Sequence, residues 1–129
     1  MIRPKREYVD YLRDIFGAID KAQQFTEGMS FSTFESDDKT VFAVIRALEI
    51  IGEATKKLPA SLKEHYPGIP WREIASMRDK VIHDYFGVNL RRVFETIRRD
   101  LPPLRENIAR ILSDELYKSG YQGEGEVDT

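Results

Sequence analysis

The chain has 129 residues, which suits one domain with a core of its own, and a second is not expected. Hydrophobic residues make up 41% and charged ones 33%, a balance that excludes a disordered chain, and the lack of any uncharged apolar run of about eighteen residues excludes a transmembrane one. A net charge of −2 gives no overall pull toward nucleic acid, and the absence of cysteine removes disulfides, thiolate metal sites and cysteine nucleophiles, so any chemistry rests on oxygen and nitrogen groups.

The N-terminal MIRPKREYVD lacks the apolar stretch of a secretory signal, and the expected location is cytoplasmic. Nearly every later segment follows a helical period and none alternates long enough to make a half-buried strand, so the predicted fold is all-α, an up-and-down bundle of four to five helices. The first helix is expected from near Pro4, with Tyr8, Leu12, Ile15, Phe16, Ile19 and Ala22 on one stripe, ending before the EGMS turn. A second starts after Ser36-Asp37-Asp38, where a short acidic side chain can cap free amides. Its polar residues Arg46, Glu49, Glu53, Lys56 and Lys57 fall in an arc of roughly a quarter turn, and aliphatic residues fill the rest. So apolar a helix is expected to be buried on more than one side, with a homodimer interface over the face the bundle leaves open.

Ser61 and Glu64 have capping-box spacing for a short third helix that stops at Pro67-Gly68. The fourth opens at Pro70, runs unbroken through WREIASMRDKVIHDYF and meets Gly87. Asn89 caps the last, which continues to about Tyr117 with a break or kink at Pro102 and Pro103. Arg91, Arg92, Arg98, Arg99, Arg105 and Arg110 make this segment basic, which reads first as a salt-laced surface. Residues 1–118 are expected to form the single domain, and residues 119–129, ending GEGEVDT, a flexible acidic tail.

One stretch carries chemistry. In RDKVIHDY, residues 78–85, an always-charged arginine, a histidine that titrates near neutrality and a phenol lie within eight positions. With Arg78 as origin on an unbroken helix, Tyr85, Ile74, Ile82 and Ala75 all fall within about 60° of it, so the guanidinium sits amid an apolar stripe and needs either a carboxylate or an anionic ligand. Two readings stand open. In one, Arg78 pairs with Glu49 or Glu53 and His83 merely stabilises a helix end beside Asp79. In the other, Arg78 grips a phosphodiester and His83 moves protons around it. His65, the only other histidine, lies in no metal-ligand spacing with a partner, so neither a metal nor another cofactor is expected.

The string Arg78-x4-His83-x-Tyr85, preceded by IPWREIASM and followed by FGVN, with LEIIGEATKKLP upstream and DLPPL downstream, resembles the HepT-like toxins of the HEPN superfamily. The likeness runs from about Asp38 to Leu104. It implies an all-helical homodimer acting as a metal-independent endoribonuclease toxin, of the kind paired with a minimal nucleotidyltransferase (MNT) antitoxin in type VII-like systems. It also implies that Arg78 and His83 are catalytic on an RNA substrate and that Tyr85 is the site of silencing by AMPylation. Many superfamily members carry Asn directly after the arginine, whereas this chain has Asp79, to which no role is carried over. Arg91 and Arg92, just past the motif, are candidate guides for the RNA backbone. The alternative is a non-catalytic helical dimer that binds a nucleotide or tethers the nucleotidyltransferase. No membrane is involved in either case.

Overall fold

The structure is a computed structural model that describes residues 6–80 and 89–118, in which every regular element is helical. Pro4, the acidic tail, His83 and Tyr85 lie outside the described residues. The elements are α1 (Tyr8–Phe25), α2 (Phe31–Glu35), α3 (Asp38–Lys56), α4 (Ala60–His65), α5 (Trp71–Ala75), a further helical stretch at residues 77–80, α6 (Leu90–Glu95), a π-helical turn at Thr96–Asp100 and α7 (Leu101–Lys118).

α1 starts where the backbone amide of Glu7 donates to Asp10 Oδ2 at 2.9 Å, and its predicted stripe is its buried face, with Leu12, Ile15 and Ile19 fully enclosed. Its C-terminus turns at Gly28, whose φ of 78° a side chain would strain. Arg98, from the far end of the sequence, stitches this turn shut: Nη1 donates to Thr26 Oγ1 at 3.1 Å, and Nη2 to the carbonyls of Thr26 and Met29. The carbonyls freed at a helix end thus find a charged donor.

α2 is an element the periodicity did not reveal. Ser30 caps it by accepting from the Thr33 amide at 3.2 Å, and its one buried residue, Phe34, packs on Phe94 at 5.2 Å between ring centres.

α3 begins as expected, with Asp37 accepting from the Thr40 amide at 3.1 Å. That bond and one from the Thr40 hydroxyl hold the Asp37 carboxyl below the usual carboxylate range. The helix lies at the centre of the bundle, packed against α1, α2 and α5, and its predicted polar arc is the side that meets solvent. The neighbours within one chain cover Val44, Leu48, Ile51 and Ala54, which corrects the expectation that a second subunit is needed to bury them. A central helix is apolar on most sides because the bundle surrounds it; a dimer has to be argued on other grounds.

Two features of the next segment differ from expectation. α4 starts after Pro59, so Ser61 lies inside the helix and no side chain caps it. The fourth predicted helix is not continuous either: α5 stops at Ala75, Ser76 forms a turn and donates its hydroxyl to the Glu73 carbonyl at 2.9 Å, and the helix resumes at residue 77. Trp71 ties α5 back to α4 by sharing its indole N–H between the carbonyls of Lys63 and Tyr66, at 3.1 and 3.0 Å.

Asn89 caps α6 through the Arg92 amide at 3.2 Å. The prolines produce no break. The Leu101 amide reaches back five residues to the Thr96 carbonyl, and Pro102 and Pro103 follow in the first turn of α7, where their missing donors cost least. Val93, Ile97, Leu101, Ile108 and Ile111 form one buried seam across both halves.

The C-terminal helix is clasped by two phenols. The Tyr8 hydroxyl donates to Glu115, itself buried, and that of Tyr66 to Asp114 Oδ2 at 3.1 Å. Burial and then the Asp114 bond push the Tyr66 phenol up to about 12, and the Glu115 bond raises Tyr8 as well. A phenol whose pKa is higher in the folded state stabilises the fold below its ordinary value of 10.0 and ceases to do so as pH rises through the folded value. The melting temperature should therefore fall between pH 10 and about 12. Thermal melts of Tyr66→Phe across this range should show a shallower decline than the parent; equal declines would mean that other groups cause it.

Candidate functional site

Arg78 sits on the helical stretch at residues 77–80, where that stretch crosses α3. The crossing is close because α3 has no side chain there. A Cβ placed on Gly52 would lie 2.8 Å from the Arg78 backbone nitrogen and 3.3 Å from the Ala75 carbonyl oxygen. The next residue, Glu53, receives the guanidinium: Arg78 Nε lies 3.2 Å from Glu53 Oε2. Arg46, about two turns back on α3, approaches the other oxygen of Glu53 at 3.9 Å and Glu49 Oε1 at 3.3 Å. The result is an Arg78–Glu53–Arg46–Glu49 chain of alternating charge along the polar arc of α3.

Of the two carboxylates proposed for Arg78, then, Glu53 is the partner and Glu49 belongs to Arg46. The surroundings also differ from expectation. Arg78 is not enclosed by an apolar stripe; its side chain is 45% exposed and that of Glu53 42%. The turn at Ser76 breaks the helical phase between Ile74 and Arg78, so angles measured on an unbroken helix misplaced the guanidinium. A pair this wet contributes about 0–1 kcal/mol. The carboxylate therefore positions Arg78 without committing it, and an incoming phosphate can take its place with two parallel hydrogen bonds.

His83 and Tyr85 follow Arg78 by five and seven residues, outside the described residues. His65 is exposed on α4 with its ring edge-on to Tyr66 at 5.1 Å. The candidate RNA guides separate: the Arg91 guanidinium lies over the Phe31 ring, 4.2 Å from its centre, whereas Arg92 lines a hollow of about 490 Å³ together with Lys80, Glu73 and Asp100. Two other arginines of the basic segment are stitches. Arg98 closes the α1 turn, and Arg105 reaches Asp20 Oδ1 at 2.6 Å with its plane over Phe16. Sequence reasoning placed Arg46 and Glu53 correctly on one arc but gave Arg46 no part in the site, and only the crossing of residues 77–80 over α3 reveals it.

Among the described residues no group of three histidine or carboxylate side chains is placed to hold a metal ion, and no helix is long and apolar enough to cross a membrane.

The sequence matches the family described as "Ribonuclease HepT-like" over residues 15–111. It is similar to a protein of Thermococcus cleftensis named "Probable ribonuclease HepT", with 50% identity over 83% of this chain and 97% of that one. A Methanocaldococcus jannaschii protein named "Putative RNase" is 42% identical over 86% of this chain and 96% of its own length. A third, from Caldanaerobacter subterraneus and also named "Putative RNase", is 44% identical over 81% and 94%. No solved structure gives a significant match.

Proposed function

Given that the chain belongs to the HepT-like ribonuclease family, we propose that it is a metal-independent endoribonuclease whose site is built around Arg78 and His83. The observation that carries this reading is the state of Arg78: a half-exposed guanidinium held in position by one carboxylate that a phosphate can replace.

The chemistry follows from what RNA cleavage without a metal demands. The ribose 2′-oxygen attacks the adjacent phosphorus, forming the 2′-O–P bond as the P–O5′ bond breaks. One imidazole takes the proton of the 2′-hydroxyl, and a second, protonated, gives one to the departing 5′-oxygen. The negative charge that builds on the non-bridging oxygens is met by the guanidinium. The products carry a 2′,3′-cyclic phosphate and a 5′-hydroxyl. Since the motif supplies one histidine per chain, the second imidazole is taken to come from another copy, which makes the site a composite of a two-fold dimer.

Tyr85, two residues from His83, is then suited to regulation. An AMP group transferred to its hydroxyl by a partner nucleotidyltransferase would set bulk and negative charge where the substrate phosphate enters, and cleavage would stop.

The purified protein, incubated with a varied panel of RNAs in excess chelator, should produce fragments ending in 2′,3′-cyclic phosphate. RNA left whole across the panel would overturn the nuclease in favour of a binding module. Intact mass after co-expression with a nucleotidyltransferase encoded beside it should show AMP increments that vanish in Tyr85→Phe; an unmodified mass removes the regulatory half of the reading and leaves the nuclease standing.

A further inference from the structure

Glu53, which pairs with the motif arginine, and Arg46, which approaches Glu53 from the other side, also belong to the α3 wall of a groove of about 590 Å³ that runs between α1 and α3. In a chain of net charge −2 this groove is lined by five cationic side chains and two carboxylates. Two of the cations are engaged: Arg6 with Asp14 at 3.0 Å, and Arg46 with Glu49 and Glu53. The other three, Arg13 and Lys21 on α1 and Lys57 at the C-cap of α3, are exposed, and their side chains have no ion-pair or hydrogen-bond partner among the described residues.

Their spacing says what kind of anion fits. Arg13 and Lys21 stand eight residues apart, about 12 Å along α1, and Lys57 faces them from the other wall near the end of α3. That is too wide for one phosphate and suits an anion with repeated charge. The one aromatic ring on the walls, Tyr11, already carries the Arg6 guanidinium 4.7 Å from its centre, so the groove offers charge rather than a free surface for stacking bases.

We propose that this groove binds the phosphodiester backbone of single-stranded RNA leading to or from Arg78, with Arg13, Lys21 and Lys57 as its phosphate contacts. The proposal rests on the ribonuclease reading for the identity of the polyanion. The groove and Arg78 share Glu53, so a strand whose scissile phosphate lies on Arg78 has its flanking phosphates at the groove's mouth. Recognition here is by charge, without base readout, and hence strongly salt-dependent and tolerant of sequence.

The test is a triple variant, Arg13→Gln with Lys21→Gln and Lys57→Gln, set against a control of equal charge change outside the groove, Lys39→Gln with Arg72→Gln and Arg99→Gln. All six positions are exposed, and melting curves are to be recorded to check that both variants fold. Affinity for a cleavage-resistant 2′-O-methyl RNA is followed by fluorescence anisotropy as salt rises. The groove variant should bind at least about tenfold more weakly near physiological salt and lose about 2 from the slope of log affinity against log salt, since each phosphate contact on a single strand contributes about 0.7. The control should keep the parent slope. Equal losses in both variants, or none in either, overturn the proposal. RNA that is cleaved by the parent yet bound equally by the groove variant removes the groove and keeps the nuclease. RNA bound through the groove but never cut does the reverse. If the parent binds polyglutamate and not RNA, the groove is a surface for an acidic protein and the proposal falls.

Discussion

Arg78→Ala is expected to slow RNA cleavage by about a hundredfold or more while moving the melting temperature by no more than a few degrees. The first half follows from the proposed role: removing one preformed donor that meets developing charge in a transition state typically costs 10²- to 10³-fold, by analogy with other such sites, on the order of 3 kcal/mol. The second follows from the wetness of the Arg78–Glu53 pair, with side chains 45% and 42% exposed, which limits its contribution to about 1 kcal/mol. In a chain of this length that corresponds to roughly 4 °C. Glu53 is not stranded by the change, because Arg46 still lies 3.9 Å from its carboxylate. Arg78→Lys should fall between parent and alanine variant, since it keeps the charge and loses the planar fork. His83→Ala should lose cleavage as completely as Arg78→Ala while keeping RNA affinity. Single-turnover cleavage and thermal melts decide the matter together. A collapse in melting temperature with cleavage intact would return Arg78 to a purely structural role.

Gly52→Val should be strongly destabilising, on the order of 3 kcal/mol, and accompanied by loss of cleavage. Even the Cβ alone would stand 2.8 Å from the Arg78 nitrogen and 3.3 Å from the Ala75 carbonyl oxygen. Both obstacles are backbone, so no rotamer change relieves the clash and the crossing helix must move away from α3. Glycine at mid-helix ordinarily costs about 0.5–1 kcal/mol relative to alanine, and the chain accepts that cost here. Gly17→Ala is the internal control: it too lies inside a helix, but its Cβ would meet nothing within 4 Å, so stability should rise by about 0.5–1 kcal/mol. Denaturation midpoints for the two variants should therefore shift in opposite directions. A neutral Gly52→Val would mean that the two helices are not in contact as described.

What could be read from the sequence was decided by how local each signal is. The stripe of α1 and the polar arc of α3 run for five turns and survive small phase errors, so Leu12, Ile15, Ile19 and the Arg46–Lys57 arc all fell where expected. α2 is five residues long, less than two turns, and leaves no periodicity to detect. The turn at Ser76 is hidden for another reason. IASM is acceptable helix composition, and the interruption involves neither glycine nor proline; it falls at Ser76, whose hydroxyl bonds the Glu73 carbonyl. Its consequence is large: with Arg78 as origin, the angles to Ile74 and Ala75 cross the interruption, so the apolar face expected around the guanidinium on that side is not where an unbroken helix puts it. The partners of Arg91, Arg98 and Arg105 lie about sixty to ninety positions away in Phe31, Thr26 and Asp20, beyond any windowed rule. The same holds for the groove, since Arg13 and Lys57 are unremarkable surface charges until α1 and α3 are set side by side.

The widened turn at Thr96–Asp100 makes the length of that stretch a fold determinant in its own right. In an ordinary α-helix, apolar residues repeating every four positions drift around the axis by about 40° each time. Val93, Ile97 and Leu101 repeat in this way and yet all stay on one seam, because the looser winding absorbs the drift before α7 resumes a mixed three-and-four repeat through Leu104, Ile108 and Ile111. Insertion or loss of a single amino acid between Glu95 and Pro102 would swivel the two halves against each other by about 100°. Val93 would leave the interior, and with it the Arg98 clamp on the first helix would lose its aim. The spacing between the capping Asn89 and the Pro102-Pro103 pair is thus a quantity on which selection can act as firmly as on the identity of any side chain within it.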